Sequence, residues 1–184
     1  MAEPGRWYER DVELRDGTQV HVRPIRPGDD ALLQDAVARM SERSVYFRFF
    51  SPLKRLPEAM ARKLARVDYQ DRFALVAVAR EGADEGILGV ARYDRAAGTD
   101  AAEVAVAVVD EVQRQGLGSH LLSMLTQVAA EHGLKTFTLI VLPENQSMLA
   151  LLRKMGLIHR AVFKGGLYEI SFEIRSGDRP ACGG

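Results

Sequence analysis

One segment constrains the fold of this chain more than any other: Val108–Leu122, VVDEVQRQGLGSHLL. An apolar run stops there, two glycines follow in the pattern G-x-G, and a leucine-rich run begins. Before it, Glu103-Val104-Ala105-Val106-Ala107-Val108-Val109 has the length and β-branched content of a strand. After it, Leu117, Leu121, Leu125 and Val128 recur at i, i+4, i+8 and i+11. That spacing predicts a helix from about Gly116 to His132, stopped by Gly133. A strand that turns directly into a helix belongs to a layered α/β fold. It also leaves the first helical N–H groups without internal partners, at the positive end of the helix dipole. Glycine lets a bulky anion approach that backbone closely, so the turn implies a phosphate or pyrophosphate site.

The remaining elements surround this unit. Glu13-Leu14-Arg15-Asp16-Gly17-Thr18-Gln19-Val20-His21-Val22 reads as a hairpin turning at Asp16-Gly17. Asp29 or Asp30 can cap a helix reaching about Met40, a second helix begins near Ser41, and a third runs from about Pro57 to Arg66. Phe73–Ala79 and Gly86–Tyr93 form an antiparallel pair across a short loop. Thr136–Leu142 is a strand ended by Pro143, Asn145–Met155 a helix ended by Gly156, and Ile158–Phe163 with Leu167–Ile174 a closing strand pair. The order predicts an α/β (α+β) mixed sheet of six or seven strands flanked by helices. Residues 1–174 then make one domain, and 175–184 a flexible tail.

Composition narrows the function classes. Among 184 residues, 25 Lys and Arg balance 25 Asp and Glu, which argues against a nucleic-acid partner. No apolar run approaches the roughly 18 residues of a membrane helix, and the N-terminus has no signal core, so the expectation is a cytoplasmic protein away from membranes. The single cysteine, Cys182, lies in a glycine-rich tail that offers no positioned base. The four histidines show no metal spacing, so no metal is expected.

Three kinds of glycine turn deserve comparison. A P-loop needs a Lys-Ser/Thr pair after its last glycine, and none is present. A dinucleotide fingerprint needs a third glycine where Leu121 stands. The pattern Q-x-x-G-x-G is met by Gln113-Arg114-Gln115-Gly116-Leu117-Gly118. Here the chain resembles the GNAT N-acetyltransferases, whose acetyl-CoA signature has this form. Asn145–Leu157, NQSMLALLRKMGL, resembles the same family's later motif, with one helix and one strand between the two. Asp16-Gly17-Thr18, Val22–Asp29 and Ser44–Phe50 add a narrower likeness to the acetyltransferase domain of bacterial Pat-type protein lysine acetyltransferases.

The resemblance implies acetyl-CoA as cosubstrate, its pyrophosphate held by the turn amides of Gln113, Arg114, Gln115, Gly116, Leu117, Gly118 and Ser119. Val108 and Val109 would lie along the pantetheine arm, and Asn145 would bond it from across the cleft. Arg114 is either a phosphate contact or a solvated loop arginine, and Asn145 is also a natural helix N-cap. Glu103 takes the place of the family's general base; its other reading is a strand-end carboxylate facing solvent. Asp110 and Glu111 rank low, since a free carboxylate at the turn would oppose phosphates. Many family members place a tyrosine acid seven residues after the asparagine; here that residue is Leu152. The implied reaction is acetyl transfer to an amine, above all a protein lysine such as one of an acyl-CoA synthetase. A small-molecule amine or a catalytically silent acyl-CoA-binding module is the alternative. The Pat-type likeness also includes regulatory domains, for which this chain has no room.

Overall fold

A computed structural model describes residues 8–81 and 84–174. The expected tail and Cys182 lie outside the described residues, as do residues 1–7. Eight strands form one mixed sheet in the order β1-β2-β3-β4-β5-β6-β8-β7. They are β1 (Arg10–Glu13), β2 (Gln19–Pro24), β3 (Arg72–Glu81), β4 (Asp84–Arg95), β5 (Ala101–Val108), β6 (Thr136–Val141), β7 (Arg160–Lys164) and β8 (Leu167–Glu173). Helices α1 (Asp30–Arg39), α2 (Glu42–Phe49) and α3 (Glu58–Ala65) fall between β2 and β3. Helix α4 (Leu117–Glu131) follows β5, and α5 (Gln146–Lys154) follows β6. The α/β reading holds, with one strand more than the upper expectation of seven. Strand β1 carries a single buried residue, Val12, and so leaves almost no apolar signal.

Every neighbouring pair of strands is antiparallel except β5 and β6. Those two run parallel because α4 carries the chain back across the sheet between them. Helix α4 packs by the face its spacing specified: Leu117, Leu121, Leu125 and Val128 are all buried. Its approach to the sheet depends on Gly89 of β4, where a Cβ would meet Leu121 Cδ1 at 3.0 Å and Leu117 Cδ2 at 3.1 Å. From Gly89 onward, beyond a bulge at Leu88, odd-numbered residues of β4 thus face α4, and Tyr93 hydrogen-bonds His132 just beyond that helix. Even-numbered residues face the other way, where Arg92 Nη1 donates to the Leu64 carbonyl of α3.

The first helix is anchored by a buried ion pair that the sequence did not announce. Asp29 does precede α1, but its side chain caps nothing. Its carboxylate instead takes a bidentate pair from buried Arg23, at 2.8 and 2.9 Å, and a third bond from the Arg26 N–H. Glu85 adds a second acid at 2.9 Å from Arg23 Nη2. A guanidinium out of water needs such partners to remain charged. The cluster fixes where α1 leaves β2, and with it the α1–α2 cover over the sheet.

Candidate functional site

The parallel pair β5–β6 is short. It joins Ala101 to Thr136, Ala102 to Phe137 and Glu103 to Thr138, and stops. Beyond Glu103, β5 stays bonded to β4 as far as the Val108–Gly89 pair, while β6 stays bonded to β8 as far as Val141. The strands therefore part like the arms of a V, and among the described residues no strand lies beside the β6-facing backbone of Val104–Val108. A cleft of about 680 Å³ lies there, walled by Val106, Ala107 and Val108, the glycine turn, α2 and α5.

Glu103 stands at the vertex of the V, exposed, opposite Asp94 on β4. Of the turn residues, Gln113, Arg114, Gly116, Gly118 and Ser119 line the cleft; Gln115 and Leu117 do not. Val108 lines it, whereas Val109 is buried, with its N–H donating to the Leu88 carbonyl at 2.9 Å. Asn145 lines the cleft and also caps α5, accepting from the Met148 N–H at 3.1 Å. Leu152 is fully buried in the core; its neighbours Ala150 and Leu151 face the cleft instead.

The turn is held from three sides. Gly116 has φ 95°, a left-handed conformation that favours glycine, and Arg114 is left-handed at φ 62°. The Gln113 side chain donates to Ser44 Oγ at 3.1 Å and to the Val108 carbonyl at 3.0 Å, which shuts the loop on itself. The turn between β1 and β2 braces it as well: the Arg15 N–H donates to the Gln115 carbonyl, and Arg15 Nη1 to that of Arg114. Asp110 is not a free carboxylate. It accepts from the Ser41 N–H at 2.8 Å, Ser41 Oγ at 2.7 Å and Ser44 Oγ at 2.9 Å. Partial burial acts to raise its pKa, but these three donors outweigh it and hold the carboxyl below its ordinary value. Asp110 thus ties the start of α2 to the turn, a role that its position in sequence did not suggest.

Of the cationic wall, reading the sequence offered only Arg114 and missed the rest. Arg15, Arg43, Arg48, Arg114 and Lys154 line the cleft against Asp110 and Glu144. With Asp110 engaged by serines, the wall suits a polyphosphate. Helix α2 reaches across the cleft through Arg43, whose guanidinium lies over Phe47 and donates to the Glu144 carbonyl at 3.2 Å. Arg48 is half-buried, and its pKa is lowered to about 10. Burial is the main cause, with Arg92 adding to it and Asp94 and Glu103 opposing it. These residues are far apart in sequence, so only the fold could bring them together.

Comparison with known proteins settles the family. Residues 38–157 match the model of the acetyltransferase (GNAT) family. The chain belongs to this family. It is 29% identical to an acetyltransferase of Pseudomonas aeruginosa over 152 residues, 83% of this chain and 80% of that one. It is 32% identical to the acetyltransferase Pat of Mycolicibacterium smegmatis over 148 residues, 80% of this chain but only 44% of the relative. Among solved structures, the GNAT domain of S. lividans PAT has a TM-score of 0.85 at 33% identity, covering 93% of this chain and 99% of that one. This GNAT chain is accordingly an acetyl-CoA-dependent acyltransferase. Among the described residues no group of three or more His, Cys, Asp or Glu could hold a metal ion. No helix there is long and apolar enough to cross a membrane.

Proposed function

We propose that this chain moves an acetyl group from acetyl-CoA to the ε-amine of a protein lysine, by direct attack within a ternary complex. The observation that carries the reading is the parting of β5 from β6 immediately beyond Glu103. An extended pantetheine arm can bond the free strand backbone as an added strand would. The glycine turn and the cations of the cleft suit its pyrophosphate. Acetyl-CoA supplies a reactive thioester; this chain's residues do the rest. A lysine is an ammonium ion at neutral pH, with an ordinary pKa near 10.4. Glu103 takes its proton directly or through water. The amine nitrogen then bonds the carbonyl carbon as the carbon–sulfur bond breaks, and a β5 backbone N–H steadies the carbonyl oxygen. The sulfur leaves as thiolate and takes its proton from water, since Leu152 offers no acid. A free thiol pKa near 8.5 makes that route accessible. The two relatives named Pat support a protein acceptor, with an acyl-CoA synthetase as the expected class.

Calorimetric titration with acetyl-CoA, with NAD as control, tests the donor; mass spectrometry of a lysine-containing acyl-CoA synthetase tests the acceptor. We expect acetyl-CoA heat, silent NAD and an acetylated lysine. Glu103→Gln should lower kcat by about 10²–10⁴-fold while the acetyl-CoA Kd stays within about twofold. Unchanged turnover would remove Glu103 from the reaction. Transfer to free amines but to no protein would move the reading to a metabolite acceptor.

A further inference from the structure

Five cations line the cleft, and one differs from the rest. Arg15 and Arg114 stand at the glycine turn, Arg43 reaches the Glu144 carbonyl, and Lys154 belongs to α5. Arg48 is half-buried and also borders Val90 and Arg92 of β4 around a smaller cavity of about 50 Å³, which the other four do not line. Val90 pairs with Ala107, Arg92 with Ala105 and Asp94 with Glu103, so these side chains form rows on the face of the sheet away from α4. Arg48 therefore lies over β5 between the turn and Glu103, within reach of the charges of Arg92, Asp94 and Glu103. Arg92 is already engaged, donating to Asp94 at 3.2 Å and to the Leu64 carbonyl at 3.3 Å. Arg48 is not. Its guanidinium lies 4.9 Å from the Phe49 ring centroid, and among the described residues its side chain makes no hydrogen bond or ion pair. A guanidinium carries five N–H donors, so this one faces the reacting end of the cleft with its hydrogen-bonding capacity unspent.

We propose that Arg48 hydrogen-bonds the sulfur of coenzyme A as it leaves and holds it as a thiolate. The proposal rests on the cleft being the coenzyme site and on Glu103 taking the amine's proton. With pyrophosphate at the turn and the arm running back along Val108 and Val106, the thioester reaches the part of β5 that Arg48 covers. The charges then balance. Before transfer, Asp94 is paired with Arg92, and the Glu103 carboxylate is the remaining anion near Arg48. The amine nitrogen bonds the acyl carbonyl carbon, the carbon–sulfur electron pair passes to sulfur, and the ammonium proton passes to Glu103. Glu103 loses its negative charge as the sulfur gains one. Arg48 thus exchanges one counter-ion for another, and the net charge of the site is unchanged. Burial lowers the Arg48 pKa to about 10, which still leaves it cationic at neutral pH. It therefore supplies hydrogen bonds and charge rather than a proton, and a neighbouring arginine favours thiolate over thiol. That is the assistance a leaving sulfur needs where Leu152 offers no acid.

Calorimetry with free coenzyme A against pH reads this contact, with desulfo-coenzyme A, which lacks the thiol, as control. A bound thiol whose pKa is depressed sheds its proton earlier than the free thiol, so affinity rises with pH. A depression of about one unit from the ordinary value near 8.5 makes coenzyme A bind up to about tenfold tighter at alkaline pH than at pH 6. Desulfo-coenzyme A should show no such rise. Arg48→Gln should abolish the rise while desulfo-coenzyme A binds within about twofold of the parent and thermal melting reports a folded protein. Arg48→Lys keeps the charge and should keep part of the rise. A wild-type affinity for coenzyme A that is flat or falls with pH overturns the role of Arg48 but not the coenzyme site, and needs no variant to show it. So does an equal rise with desulfo-coenzyme A, or a rise that survives in Arg48→Gln. Absence of heat with coenzyme A, desulfo-coenzyme A and acetyl-CoA at every pH overturns the coenzyme site itself.

Discussion

Three helices begin at the cleft, and they begin differently. Helix α2 starts with Ser41 accepting from the Ser44 N–H, and Asp110 closes over the same end. Helix α5 starts with Asn145 accepting from the Met148 N–H. Helix α4 starts at Gly116 with no side-chain cap. An N-terminus with a side-chain acceptor spends its dipole internally. One without keeps it for something outside the chain. On the proposed reading, the contrast separates ends that hold the cleft in shape from the end that would offer donors to the coenzyme.

Closing the open end is the severest way to break this contrast. Gly118→Asp puts a carboxylate in the first turn of α4, where its Cβ meets only Leu151 Cδ2, at 3.3 Å. Acetyl-CoA affinity should fall at least about 100-fold, near 2.8 kcal/mol by titration. The melting temperature should hold or rise, since aspartate is a slightly better helix former than glycine and an acid in the first turn of a helix adds about 0.3–1 kcal/mol. Unchanged affinity would mean that α4 is not where phosphate binds.

Asn145 sharpens the contrast at the second end. Asn145→Ala should remove about 1 kcal/mol of stability, a melting shift of roughly 2–4 °C, and Asn145→Asp should restore it. Should the alanine variant melt normally yet lose acetyl-CoA affinity tenfold, α5 would belong with α4 as a ligand site. Asp110→Asn is the smallest effect, about 1 kcal/mol or less because the carboxylate is exposed. Its folded pKa is depressed, so its contribution is present above the ordinary value of 3.8 and lost as pH falls through the lower folded value. Denaturant unfolding of both proteins at pH 7 and pH 3 should show the gap narrowing on acidification.

The sequence disclosed what repeats along the chain. The apolar face of α4 was legible because Leu117, Leu121, Leu125 and Val128 obey one helical period. The glycine turn was legible because its backbone needs coincide with residue types. What depends on contacts outside any repeating pattern was not. Asp29 looked like a cap because nothing local shows Arg23 curling back to it. Asp110 looked unfavourable because Ser41 and Ser44 lie 69 and 66 residues away. The parting of β5 and β6 has no local sign either, since Val104–Val108 reads as a continuous strand whether or not a neighbour accompanies it.

The brace between Arg15 and the carbonyls of Arg114 and Gln115 ties kinetics to metabolism. It links segments about a hundred residues apart, so it joins the slow, entropically expensive closures of folding rather than the quick local ones. On the proposed reading, the coenzyme cradle is complete only once the β1–β2 turn has docked against it. A ligand that recognises only the finished form favours it by mass action, by about 2.7 kcal/mol at a hundred times its Kd. Abundant acetyl-CoA would then lengthen the lifetime of this protein, and scarcity would expose it to unfolding and proteolysis.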